Sequence, residues 1–112
     1  MRARDIYAGK SHEPTSAEVV AWRTLAQLAA DLALGKRRAW RELKDMAGCC
    51  RSIRVFGHNT EGNICNRLID VSIEAALSVD HDRYADELAR LAYDVLRRCD
   101  IADQLRRANR YG

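Results

Sequence analysis

The chain has 112 residues, of which 47% are hydrophobic and 31% charged, and its formal net charge is +3. That size allows one domain with one modest core and excludes a separate catalytic lobe. A single proline, six glycines and a composition led by Ala, Leu and Arg favour helices over a turn-rich β fold.

Residues 1–13 show no period and read as an N-terminal arm, leaving 14–112 as a single helical domain. The first helix signal is Pro14-Thr15-Ser16-Ala17-Glu18, where Thr15 and Glu18 have the spacing of a capping box. The helix is expected to run to Leu34 and to stop at Gly35, a residue suited to the left-handed C-terminal position. At about 100° per residue, Ala21, Leu25, Leu28 and Leu32 form one apolar ridge. Trp22, Ala26, Ala29 and Ala33 form a second, while Arg23, Thr24, Gln27 and Asp31 share a polar arc. Two ridges imply two neighbours and a central position.

A second helix is expected from about Lys36 to Arg51–Arg54, with Ala39, Trp40, Leu43, Met46, Ala47, Cys50 and Ile53 on its apolar face. Gly48 weakens its middle without breaking it. Val55-Phe56-Gly57-His58-Asn59 reads as a loop, with Asn59 or Thr60 capping the next helix. This third helix covers about 61–79 and buries Ile64, Cys65, Leu68, Val71, Ser72, Ala75 and Val79. Ile73 and Leu77 fall off that stripe, on a side shared with Asn66 and Asp70. Asp80 and Asp82 are placed to cap a fourth helix. Its stripe is Tyr84, Leu88, Leu91, Ala92, Val95, Leu96 and Cys99. Ile101, Leu105 and Ala108 lie about 100° away from it, so Asp100 is read as a break before a short basic helix ending near Asn109; one long bent or twisted helix is the alternative. The short links make the expected architecture all-α, a small antiparallel four-helix bundle, with room for a short fifth helix.

Charge is unevenly distributed. Residues 36–54 hold seven Lys/Arg against Glu42 and Asp45, a local charge of +5 in a chain whose total is +3. Residues 55–96 are net acidic, so general attraction to polyanions is weaker than the overall charge implies. Arg37, Arg41, Lys44 and Arg51 fall within about 80° on a helix. Four aligned cations suit phosphates or an acidic protein surface. If all four met phosphates, log K would fall with log salt at a slope of about −3.6. A helix-turn-helix fits poorly, because Asp31 stands where a small residue is wanted before the turn at Gly35.

Cys49, Cys50 and Cys65 surround His58 in a C-C-x7-H-x6-C pattern, and Cys99 joins them only if the fold brings it near. The spacing is not that of a zinc knuckle. Cys50, Cys65 and Cys99 lie on apolar faces and read as buried thiols, leaving Cys49 as the exposed one. A metal or redox site is the minor alternative. His12, His58 and His81 read as surface loop histidines without a metalloprotease pattern. The acidic pair Asp86/Glu87 reads as a solvated offset to Arg83 and Arg90. No nucleophile with an oriented base stands out, so catalytic residues, metal ligands and cofactors are not expected.

The sequence therefore points to a non-enzymatic binding protein. Its expected partner is a protein with an acidic surface, met through Arg37, Arg41, Lys44, Arg51, Ile73 and Leu77. A small inhibitor or adaptor, of the kind mobile elements encode against host machinery, fits this size. A nucleic-acid-binding module using the same cations is the competing class, and self-association is a further option. No apolar run reaches the roughly 18 residues of a membrane-spanning helix, and the MRARDIYAGK start has no apolar signal core. A cytoplasmic location with reduced thiols is expected.

Overall fold

The periodic stretches form helices because their apolar residues recur every three to four positions and so share one buried face. The computed structural model describes residues 16–53 and 60–111. It contains α1 (Ser16–Ala33), α2 (Trp40–Ile53), α3 (Thr60–Leu77) and α4 (Ala85–Tyr111), with a 3-10 turn at His81–Tyr84 leading into α4. No strand occurs among the described residues. The four helices pack as a small all-α bundle. α1 lies against α4 and α2, and α3 completes the ring between α2 and α4, with little contact across the α1–α3 diagonal. α1 thus occupies a corner with two neighbours, rather than the centre.

Both ridges of α1 are used. Trp22, Leu25, Ala26, Leu28, Ala29 and Leu32 are buried, with Ala21 and Ala33 packed at the edge. Small alanines let helix axes approach closely, and α1–α4 is the most extensive contact in the fold. The Cys50 thiol of α2 lies 3.8 Å from the Ala21 carbonyl, and the Cys99 thiol of α4 lies 3.9 Å from the Val19 carbonyl. These contacts mark the two sides of α1. Each fully buried Leu or Val adds about 1.5–3 kcal/mol of hydrophobic stabilisation, and the core also holds Leu43, Leu68, Ile69, Val71, Leu88 and Val95.

α1 ends as expected. Gly35 has φ 77°, Gly35 N–H donates to Leu32 C=O at 3.1 Å, and Lys36 N–H donates to Asp31 C=O at 2.8 Å. These two bonds are the Schellman pair that satisfies the last carbonyls of a helix. The capping box falls partly on Thr15, outside the described residues, as do the arm 1–13, His12, Val55, Phe56, His58 and Asn59.

Four expectations are corrected. α2 begins at Trp40, not Lys36; the Schellman turn and a short non-helical link occupy residues 34–39. α4 runs unbroken from Ala85 to Tyr111, so Asp100 is neither a break nor a cap and the long-helix alternative is realised. The buried stripe continues through Ala102, while Ile101 is 44% exposed. Asp80 makes no side-chain cap; instead the Ser78 hydroxyl accepts from Asp80 N–H at 3.0 Å. Val79 lies beyond the end of α3 and is fully exposed, and Ile69 is buried in α3 instead.

Candidate functional site

The α2–α3 face carries most of the residues that the sequence marks for binding. Arg41 and Lys44 stand exposed on α2 and make no ion pair among the described residues. Helical spacing turns Lys44 toward α3 and Arg41 outward. On α3, Leu77 is 65% exposed, and Ile73, one turn earlier, is half-buried against the core. Two contacts fix how the helices are levelled. At one end Trp40 stacks on His81, with ring centroids 4.3 Å apart and planes 9° from parallel. Further along, Arg51 of α2 pairs with Asp70 of α3 at 2.7 Å. The start of α2 therefore lies beside the end of α3, and Arg41 and Lys44 come level with the turn of α3 that carries Glu74 and Leu77.

His81 is not a free surface histidine, as the sequence suggested. Its Nδ1 lies 2.8 Å from the Ala75 carbonyl in the last turn of α3, so Nδ1 carries the hydrogen and donates. One imidazole thus ties the start of α2, the end of α3 and the turn into α4. No local pattern announces this, because the partners are distant in sequence and the contact has no period.

The row of four cations on one helix is not formed. Arg37 lies in the α1–α2 link and pairs with Glu42 at 3.2 Å. Arg51 is taken up by Asp70. Among the described residues, the cations of this edge without an ion pair are Arg41 and Lys44 on α2, with Lys36 and Arg38 in the preceding link. Ala39, whose carbonyl accepts from Leu43 N–H at 3.1 Å, has no side-chain oxygen to cap α2, so the helix start adds partial positive charge there. Asp45 sits on the outer face of α2 and Glu74 on the outer face of α3, both exposed.

Elsewhere, Arg23 reaches from α1 to α4 and meets Asp100 at 2.5 Å and Asp103 at 2.6 Å. Hydrogen bonding to Asp100 is the main influence raising its pKa. Glu87 pairs with Arg67 of α3 at 2.5 Å, instead of being a solvated offset to Arg83 and Arg90. A groove of about 370 Å³ lies between α1 and α2, with Leu28 and Met46 among its lining residues. Its polar groups are already engaged: Gln27 donates to Asp31 at 3.2 Å, Arg37 holds Glu42, Thr24 Oγ1 donates to the Val20 carbonyl at 2.8 Å and Arg23 holds the two aspartates of α4.

Cys50, Cys65 and Cys99 are buried thiols and Cys49 is exposed, as their faces predicted, and none of the four is in a disulfide. Burial pushes the Cys50 and Cys99 thiols up to about 11 from 9.0, Cys50 with a smaller push from Cys49. Among the described residues no three Cys, His, Asp or Glu side chains gather as metal ligands. No described helix is long and apolar enough to cross a membrane. Compared with known proteins, the chain matches no family model, no curated protein and no solved structure.

Proposed function

We propose that this chain is a non-enzymatic helical binding protein that docks a partner protein bearing an acidic surface. The α2–α3 face makes the contact, and the reading extends to a small inhibitor or adaptor working in the cytoplasm. One observation carries it: Arg41 and Lys44, without ion pairs among the described residues, lie level with the exposed Leu77. Unpaired cations beside an exposed large apolar side chain combine electrostatic steering with a desolvated anchor. Arg37 and Arg51 are held in intramolecular pairs and serve as flanking groups. Ile73, half-buried, supports the base of the patch.

The test is affinity capture from the source cell, with and without nuclease, using the wild-type chain and two variants. The expected result is a nuclease-resistant protein partner that is retained at moderate salt. It should be lost with the double charge reversal Arg41→Glu/Lys44→Glu and with Leu77→Asp. Capture that needs nucleic acid and collapses between low and moderate salt would replace this reading with nucleic-acid binding. Capture unchanged by both variants would remove the face from the function.

A further inference from the structure

The α2–α3 face is electrostatically two-sided. Its α2 edge carries Arg41 and Lys44, and its α3 edge carries Glu74, all exposed and without ion pairs among the described residues. Leu77 stands beside Glu74 with 65% of its surface open. The Trp40–His81 stack sets the start of α2 level with the end of α3, so the cations and Glu74 lie at similar heights along the bundle.

From this arrangement we propose that a second copy of the chain packs on the same face, as a two-fold dimer whose axis runs parallel to the helices. Rotation by half a turn about such an axis preserves height and exchanges left for right. It sets α2 of one copy over α3 of the other. Arg41 and Lys44 then meet Glu74 and Leu77 of the second copy, and the same contact is made twice, as a two-fold interface requires. Asp70 is neutralised within its own chain by Arg51 at 2.7 Å. Asp45 follows Lys44 on α2, about 1.5 Å further along the helix, so it also approaches Glu74 of the second copy as a like charge, which limits the strength of the dimer. The dimer rests on the same face as the docking of an acidic partner, so self-association and partner docking compete for it, and the free face is most available at low concentration.

Sedimentation equilibrium on the full chain, from about 1 to 100 µM, tests the dimer. The expected mass rises with concentration toward twice the 12.7 kDa of one chain. Lys44→Glu places Glu against Glu74 in both contacts, and Glu74→Lys places Lys against Lys44 in both; each variant alone is expected to stay monomeric. Mixed in equal amounts they restore opposite charges at both contacts and should sediment as a heterodimer. Leu77→Asp should stay monomeric alone and in every mixture. Both charge positions are exposed, and circular dichroism confirms that the variants keep the fold.

A wild-type chain that remains monomeric at 100 µM at low and moderate salt overturns the dimer. So does a dimer indifferent to the reversals, or a mixture that fails to associate. Failure here separates cleanly from failure of partner docking. A monomeric wild type whose captured partner is lost on Arg41→Glu/Lys44→Glu leaves the docking reading standing. A charge-dependent dimer whose captured partner is indifferent to that double reversal leaves only the dimer.

Discussion

The four cysteines show how much a single side chain owes to its place on a helix. Cys50 and Cys99 are 2% and 1% exposed, and a thiolate in such a site would lose its hydration without gaining a hydrogen-bond donor. Their pKa of about 11 means that the folded chain still holds both protons above pH 9 and releases them only near 11, while the unfolded chain releases them near 9.0. The folded state then binds more protons, so this stabilisation is complete below pH 9 and is lost as pH rises toward 11. Urea unfolding at pH 8, 9 and 10 should show stability falling by up to about 1.4 kcal/mol per pH unit for each thiol. The Cys50→Ala/Cys99→Ala variant starts from a lower stability but should lack this part of the slope. An equal slope in both proteins would show that the thiols are not responsible. The burial of Cys50 and Cys99 is legible from spacing alone, whereas the engagement of His81 by Trp40 and Ala75 is not.

At the scale of elements, two glycines respond oppositely to the same substitution. Gly35 ends α1 with φ 77°, a conformation that opposes any Cβ, although nothing lies within 4 Å of the place a Cβ would occupy. Gly35→Ala should therefore cost about 1–2 kcal/mol through the backbone alone. Gly48, inside α2, also has open space around its Cβ position, and there Gly48→Ala should stabilise by about 0.5–1 kcal/mol. Chemical denaturation midpoints at constant m-value check both signs. The end of α1 is readable because a Gly after an apolar run is a local signal. The start of α2 is not. Lys36-Arg37-Arg38 are acceptable helix formers, but the bonds that close α1 bend the chain at Lys36 and delay the next helix to Trp40. For α4 the error runs the other way. Periodicity weights the large Ile101 over Ala102, yet the small residue is buried and the large one is 44% exposed, so the stripe never turns and the helix never breaks.

For the molecule as a whole, the closed ring of four helices decides what solvent reaches. Three thiols from α2, α3 and α4 are enclosed, and Cys49 alone among the cysteines is open. Native alkylation with iodoacetamide should therefore label one thiol quickly, and the other three should react only in denaturant. Mass spectrometry of the intact chain counts the adducts; two or more fast native sites would show that the bundle opens. The ring also sorts the charges. Arg23 is committed to α4, Arg51 to α3 and Arg67 to α4, which leaves Arg41 and Lys44 on the α2–α3 face without ion pairs among the described residues.

By itself the sequence determined that the chain is helical, roughly where the helices run, which face of each is buried and which cysteine is exposed. Those properties come from periodicity and end signals within a few residues of one another. Only the tertiary structure decided which arginines are neutralised, that Trp40 and His81 brace the end of the bundle, and that Leu77 and Glu74 stand level with Arg41 and Lys44. Such pairings depend on the register and rotation of one packed helix against the next. A local pattern holds no information about them.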